Sequence, residues 1–253
     1  MGKRAKHPVR TTAKSLEVIE ALNRLGGARV TELANELDMG KSAAHNHLST
    51  LEEHGYVVQE SKTYVLSLKF LDIGGQIRNR TPIYKVAEPK VRELADTSGE
   101  LVHLAVEEGG KGVYLARSKG DQAVDLDTYI GCNHHMHNSA FGKAILAQLP
   151  SERVDEIIDQ HGLPLATQQT ITTKDELLDE LDRTRKRGFA VDDEERIAGL
   201  RCIAAPIRFN SDVIGAISIS APTARIDDNW ETNEFVDQLC NTANVIELNK
   251  YHV

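Results

Sequence analysis

The chain has 253 residues, room for two domains, and its 40% apolar and 27% charged residues exclude a disordered or fibrous chain. No run of about 18 apolar residues exists. The charged start MGKRAKHPVR lacks both the apolar stretch of a secretory signal and the Ser or Thr at position 6 of a myristoylation signal, so no membrane partner is expected and the cytoplasm is the expected compartment. Of 30 Lys+Arg and 38 Asp+Glu, residues 1–80 hold 12 and 9, leaving 18 and 29 for the rest; only the first third has the basic balance that attracts nucleic acid.

Residues 1–11 form a basic arm with Lys3, Arg4, Lys6 and Arg10. Thr12 is a candidate cap, and Leu16, Ile19, Leu22 and Leu25 recur at helical spacing as far as Gly26-Gly27. A second helix is predicted over 31–37, capped by Thr31 and burying Val30, Leu33, Ala34 and Leu37. Asp38-Met39-Gly40 makes a tight turn into a third helix over 41–54, with Ala44, Leu48 and Leu51 inward and Gly55 ending it. Segments 56–59 and 63–66, about the turn Glu60-Ser61-Lys62, read as a two-stranded ribbon. Leu68, Leu71 and Ile73 open another helical stretch, softened at Gly74-Gly75, and Thr81-Pro82 begins a helix to about residue 97. The expected division is a head over 1–67, linker helices over 68–97 and a second domain over 98–253.

In that second domain, 101–107 and 113–117 pair about Gly109-Gly110-Lys111-Gly112, and 123–130 reads as a third strand. A helix over 139–149 is opened by Asn138 or Ser139, and 152–161 and 174–186 are amphipathic helices. Strands follow at 189–192, 201–209 and 213–220, then a long helix over 227–248. Strands flanked by helices at both ends predict an α+β, sensor-like domain.

Helix, short helix, four-residue turn, helix and ribbon is the winged helix-turn-helix order. Helix 31–37 braces helix 41–54, whose first turns can lie in a major groove; they present Lys41, Ser42, Ala43, His45, Asn46 and His47. Asn46 can pair bidentately with adenine, Ser42 donate to a phosphate or base, Lys41 meet a phosphate, and the histidines touch either. Lys62 at the ribbon tip can contact the flanking backbone, and Arg10 with the rest of the arm can reach a minor groove. A head of net charge +3 gains from a second copy, so a dimer is expected.

Three segments of the second domain point to a small-molecule pocket. Residues 137–143 (HNSAFGK) open a helix, where backbone N–H groups form an anion site. Residues 187–202 carry Asp192-Asp193-Glu194-Glu195 and Gly199-Leu200-Arg201-Cys202. On 216–220, Ser218 and Ser220 share one face of a strand. Two hydroxyls facing a helix start suit a small carboxylate; the alternative is that both face solvent on an edge strand.

Those segments, with LANELDMGKS at 33–42, TLEEHGYV at 50–57, HNSAFGKAILA at 137–147, RKRGFAVDDEE at 185–195, GLRCIAAPI at 199–207 and AISISAP at 216–222, carry a resemblance. The chain resembles the IclR family of transcriptional regulators over about residues 10–250. The resemblance implies a winged helix-turn-helix head, a linker helix and a GAF-like effector-binding domain. It also implies homodimers or homotetramers, palindromic operators in double-stranded DNA, carboxylic or aromatic acids as effectors, and no enzymatic activity or cofactor. In relatives that bind a small oxoacid, backbone amides after the helix-start Ser hold the carboxylate. That Ser matches Ser139, and the amides match Ala140 and Phe141; the remaining pocket positions match Asp192, Cys202, Ser218 and Ser220. Phe141 departs from a commonly small residue, and Asn46 from a common Arg. Effector binding is expected to shift the domains through helix 68–97 and so change half-site spacing.

Other readings stay open beside it. Cys132, His134, His135 and His137 could offer ligands to zinc or nickel in a metal-responsive regulator, although their spacing matches no standard site. Cys202 could act as a nucleophile, although no His lies near it in sequence. A structural role without DNA would predict no salt-dependent DNA affinity.

Overall fold

The computed structural model describes residues 5–227, 229 and 233–250. Lys3 and Arg4 of the basic arm lie outside the described residues. The chain divides into two compact units between Ile77 and Arg78.

The first unit holds α1 (Arg10–Leu25), α2 (Val30–Glu36), α3 (Lys41–Glu53), β1 (Val57–Glu60) and β2 (Thr63–Leu66). Its core is Val18 and Leu22 of α1, Leu33 of α2, Leu48 and Leu51 of α3, and Val57 and Tyr64 of the antiparallel ribbon. The α1 stripe is therefore Val18-Ala21-Leu22; Leu16 and Leu25 are exposed. Residue 16 is about 200° around the helix from residue 18, so of the spaced set Leu22 is in the core and Ile19 packs against it, while Leu16 and Leu25 fall outside the stripe. Helix α1 also starts two residues before Thr12, at Arg10. Thr31 is not a cap either: Arg29 precedes α2, and its amide donates to the Glu32 carboxylate at 2.8 Å. Val30 and Leu37 are half-buried rather than buried. Helix α3 follows the sequence reading, with Ala44, Leu48 and Leu51 inward and Gly55 in the left-handed region after it (φ 73°). Helix α4 (Lys69–Arg80) runs unbroken through Gly74-Gly75 and carries the division between the units.

The second unit is built on one six-stranded antiparallel sheet in the order β5-β4-β3-β8-β7-β6. Its strands are β3 (Leu101–Glu108), β4 (Lys111–Lys119), β5 (Asn133–His135), β6 (Ala190–Asp193), β7 (Leu200–Phe209) and β8 (Asp212–Pro222). Helices α5 (Pro82–Ser98) and α9 (Glu234–Lys250) cover one face, burying Val102, Leu104, Ile203, Ile207, Ile217 and Ile219. The other face receives α6 (Ala140–Leu146), α7 (Ser151–His161) and α8 (Lys174–Arg187) over Ala105, Tyr114, Cys202, Ala204 and Ala216. A bulge between Leu104 and Ala105 skips Leu115, which lets Tyr114 and Arg117 share the α6 face despite their odd spacing.

Two expectations fail here. Residues 123–130 are not a strand. They cross the sheet as a loop whose Leu126 carbonyl accepts from Arg117 and whose Thr128 hydroxyl bonds to His103. The strand that pairs with β4 is the short β5. The last helix begins at Glu234 rather than 227, opened by Asn233, whose side chain accepts from the Phe235 amide at 3.0 Å. Among the described residues, no helix is long and apolar enough to cross a membrane.

Leu48 is fully buried at the centre of the first unit. Leu48→Ala should cost about 2–5 kcal/mol in urea unfolding of that unit; a cost below about 1 kcal/mol would mean that α3 is not seated as described.

Candidate DNA-reading face and effector site

On α3 the buried residues 44, 48 and 51 fix which side faces outward. Ser42 and Asn46, four apart, occupy the middle of the outward face, flanked by Lys41 and His45 on one side and Ala43 on the other. All five are exposed. His47 turns toward the core edge instead: half-buried, its Nδ1 is bonded to Ser15 Oγ of α1 at 2.9 Å. It ties α3 to α1. Lys62 is exposed at the ribbon tip, where Ser61 takes a positive φ of 61°, and Arg10 is exposed at the start of α1.

The four pocket side chains named from sequence fall on adjacent strands. Asp192 of β6 pairs in register with Cys202 of β7, and Cys202 with Ser220 of β8. The next same-face row is Ala190, Ala204, Ser218 and His103. Ser218 and Ser220 are 2% and 3% exposed on a central strand, which excludes the solvent-facing alternative. Helix α6, whose cap position is Ser139, lies over this face. It is seven residues long, shorter than the predicted 139–149. Ser139, Ala140 and Phe141 are all buried. A Cβ at Gly142 would sit 2.2 Å from the Met136 carbonyl oxygen, so only glycine allows this approach. The Phe141 ring lies over Gly112 and meets Tyr114 edge-on at 5.1 Å.

The electrostatics of this face are those of a dry site. Lys143, with no solvent exposure, is ion-paired with Glu195. Burial pushes the Glu195 carboxyl up to about 7 against the pull of that ammonium. Burial likewise lifts Asp192 to about 6, although Lys143, Arg196 and the Glu195 and Arg196 amides favour its ionised form. The Cys202 thiol is pushed up to about 12 by burial, reinforced by Asp192.

Comparison with known proteins decides the family. Residues 76–248 match the bacterial transcriptional regulator IclR C-terminal family, and residues 11–61 match the IclR helix-turn-helix domain. The chain belongs to the IclR family. The HTH-type transcriptional regulator KdgR of Dickeya chrysanthemi is 33% identical over 249 residues, 96% of this chain and 81% of that protein. The crystal structure of Thermotoga maritima IclR superposes with a TM-score of 0.79 at 30% identity, covering 95% of this chain and 98% of that one. An IclR homologue from Microbacterium hydrocarbonoxydans, complexed with 4-hydroxybenzoate, shares the fold with a TM-score of 0.83 at 21% identity, covering 96% and 100%. The protein is thus a DNA-binding transcriptional regulator of the IclR type, with an N-terminal helix-turn-helix domain and a C-terminal α+β domain.

Within this IclR fold the metal-responsive alternative loses its geometry. Cys132 Sγ lies 3.4 Å from His134, whereas His135 packs on His137 and His161. Strand β5 sends its successive side chains to opposite faces. Among the described residues, no group of three or more His, Cys, Asp or Glu is placed to hold a metal ion. Cys202, with its raised thiol, has the opposite of a nucleophile's environment. The open cleft of about 760 Å³ lined by Gln148, Arg208, Asn244 and Leu248 includes none of the pocket residues.

Lys143 and Glu195 lie in the segments singled out above but carry no expected role there, and Arg196, His103, Tyr114 and Arg117 were not expected in the site at all. The signal was available for His103 alone, a polar residue on the inward period of an apolar strand.

Asp192 yields a pH prediction. Its folded pKa of about 6 lies above the ordinary 3.8, so the ionised form costs stability above pH 6, and that cost is absent below pH 4. Asp192→Asn should therefore stabilise the ligand-free protein at pH 7 by up to about 3 kcal/mol, with the gain shrinking to nothing by pH 4. A pH-independent gain in urea unfolding would refute the desolvated carboxylate.

Proposed function

We propose that this regulator senses a small carboxylic or aromatic acid at the face lined by Ser139, Ala140, Phe141, Asp192, Cys202, Ser218 and Ser220, and that occupancy sets its affinity for a palindromic operator. The observation that carries the reading is the convergence of Asp192, Cys202 and Ser220 from three strands into one buried row under α6. The complex of a same-fold homologue with 4-hydroxybenzoate supports the ligand class. Operator reading falls to Lys41, Ser42, Ala43, His45 and Asn46, with Lys62 and Arg10 on the flanking backbone and His47 in a bracing role. The functional divisions are the head over 1–67, the linker over 68–97 and the effector domain over 98–253. The protein works as a homodimer or homotetramer in the cytoplasm and without catalysis. The response can be no larger than the difference in effector affinity between its two states.

Two measurements test this. Asp192→Ala with Ser220→Ala should weaken binding of 4-hydroxybenzoate or a small oxoacid at least tenfold by calorimetry. DNA affinity without the acid should stay within about twofold. Loss of both together would sink the pocket assignment. Asn46→Ala should relax selection at one base pair of a randomised operator library by about 1–3 kcal/mol. An unchanged base preference would remove Asn46 from the reading face.

A further inference from the structure

On the α6 face of the sheet, beyond the hydroxyl row, stand two arginines whose buried Nε groups have no hydrogen-bond partner. Arg117 of β4 is in register with His103 of β3, which is itself in register with Ser218 of β8. Arg117 donates from Nη2 to the Leu126 carbonyl at 3.2 Å, and its buried Nε has no hydrogen-bond partner. Arg196, just after the acidic segment, donates from Nη1 to the Tyr114 hydroxyl at 3.2 Å, and its Nε is likewise buried without a partner. Between them lies His103, 1% exposed and stacked on the Tyr114 ring at 4.1 Å, with Nε2 on Thr128 and Nδ1 unpartnered. Two other half-buried arginines of the unit have carboxylate partners: Arg187 pairs with Glu180, and Arg201 with Asp193. Among the described residues, no carboxylate forms an ion pair with Arg117 or Arg196. Asp192 instead accepts from the Glu195 and Arg196 amides.

Burying guanidinium N–H groups without acceptors costs stability, and the cost is recovered when a carboxylate arrives with charge-assisted hydrogen bonds. Neighbouring strands lie about 4.8 Å apart, so the Ser218–Ser220 hydroxyls on β8 and the base of Arg117 on β4 are roughly 10 Å apart. The long guanidinium side chain shortens that gap. In register His103 stands between Ser218 and Arg117, with the Tyr114 ring stacked on it and Phe141 edge-on to Tyr114. We propose that the effector is a dianion, one anionic group on the Ser218 and Ser220 hydroxyls and a second on the guanidinium pair of Arg117 and Arg196. The arginines are then the residues that determine specificity, selecting a diacid over the matching monoacid. This rests on the effector site proposed above.

The test compares matched acids, benzoate with 1,4-benzenedicarboxylate and butyrate with succinate, by calorimetry on the full chain. In the wild type at least one diacid should bind at least tenfold more tightly than its monoacid. In Arg196→Gln and Arg117→Gln that ratio should fall toward one, whereas Arg196→Lys, which keeps the charge, should retain part of it. Ligand-free melting curves identify any variant that fails to fold, and the Lys variant then carries the comparison. A ratio near one in the wild type, or a ratio unmoved by either Gln substitution, overturns the dianion. Acids that bind without any such ratio, and are lost with Asp192→Ala and Ser220→Ala, leave the effector site standing and overturn only this proposal. Absence of binding by all four acids overturns the dianion, and if 4-hydroxybenzoate and a small oxoacid also fail to bind, the effector site falls with it.

Discussion

An ammonium group shut away from water has to find an anion inside the protein. Lys143, the fourth residue of α6, finds it in Glu195, on the segment that follows β6. Breaking such a pair would strand a buried charge at a cost of about 3–5 kcal/mol, so the helix and the segment cannot part in the folded state. The same segment is held elsewhere. Asp192 accepts from the Glu195 and Arg196 amides, and the Thr167 and Thr170 hydroxyls donate to the Glu194 and Glu195 carbonyls. Gly142, beside the lysine, brings α6 close enough to the Met136 backbone for the pair to form. This contact joins α6 to the segment after β6 over the Asp192–Cys202–Ser220 row.

The sheet beneath can serve as a site because its two faces do different work. The side chains that alternate toward α5 and α9 include Ile203, Ile207, Ile217 and Ile219, all fully buried. Each such burial is worth about 1.5–3 kcal/mol. The intervening residues on β7 and β8, Cys202, Ala204, Ala216, Ser218 and Ser220, are small. Small side chains under a short helix leave polar groups close together in a dry region, where each electrostatic interaction is stronger than in water. The dry face also explains why the ionised Asp192 is disfavoured while a hydroxyl row is tolerated.

What was legible in the sequence follows from periodicity. Helix α3 was readable because its apolar residues are few and unambiguous. The alternation of β7 and β8 placed Ser218 and Ser220 on one face before any coordinates. Segment 123–130 misled because its pattern of Val124, Leu126 and Thr128 alternates like a strand. Its carbonyl and hydroxyl groups are instead taken by Arg117 and His103, long-range partners that local pattern does not encode. The α1 face was legible only in part: Leu22 and Ile19 do meet the core, but Leu16 and Leu25 drew attention from Val18 and Ala21, because burial follows geometry rather than hydrophobicity alone. The arginines escaped notice because a charged residue on a strand or loop ordinarily reads as solvated. Only the bulge at Leu104 and Ala105 turns Tyr114 and Arg117 inward together.

A site of this kind holds poorly solvated polar groups of both signs. Asp192 is desolvated enough to lift its pKa to about 6 despite the nearby Lys143 and Arg196, and two guanidinium Nε groups are buried without acceptors. The arginines are held where they stand, Arg196 by the Tyr114 hydroxyl and Arg117 by the Leu126 carbonyl of the 123–130 loop. An arriving anion recovers the guanidinium cost and adds its own contacts, so the bound state gains stability in proportion to what the free state lacks. By linkage, that same difference bounds the signal available to the DNA-reading helix. Filling the row with apolar side chains would strengthen the fold and remove the energy on which the response depends.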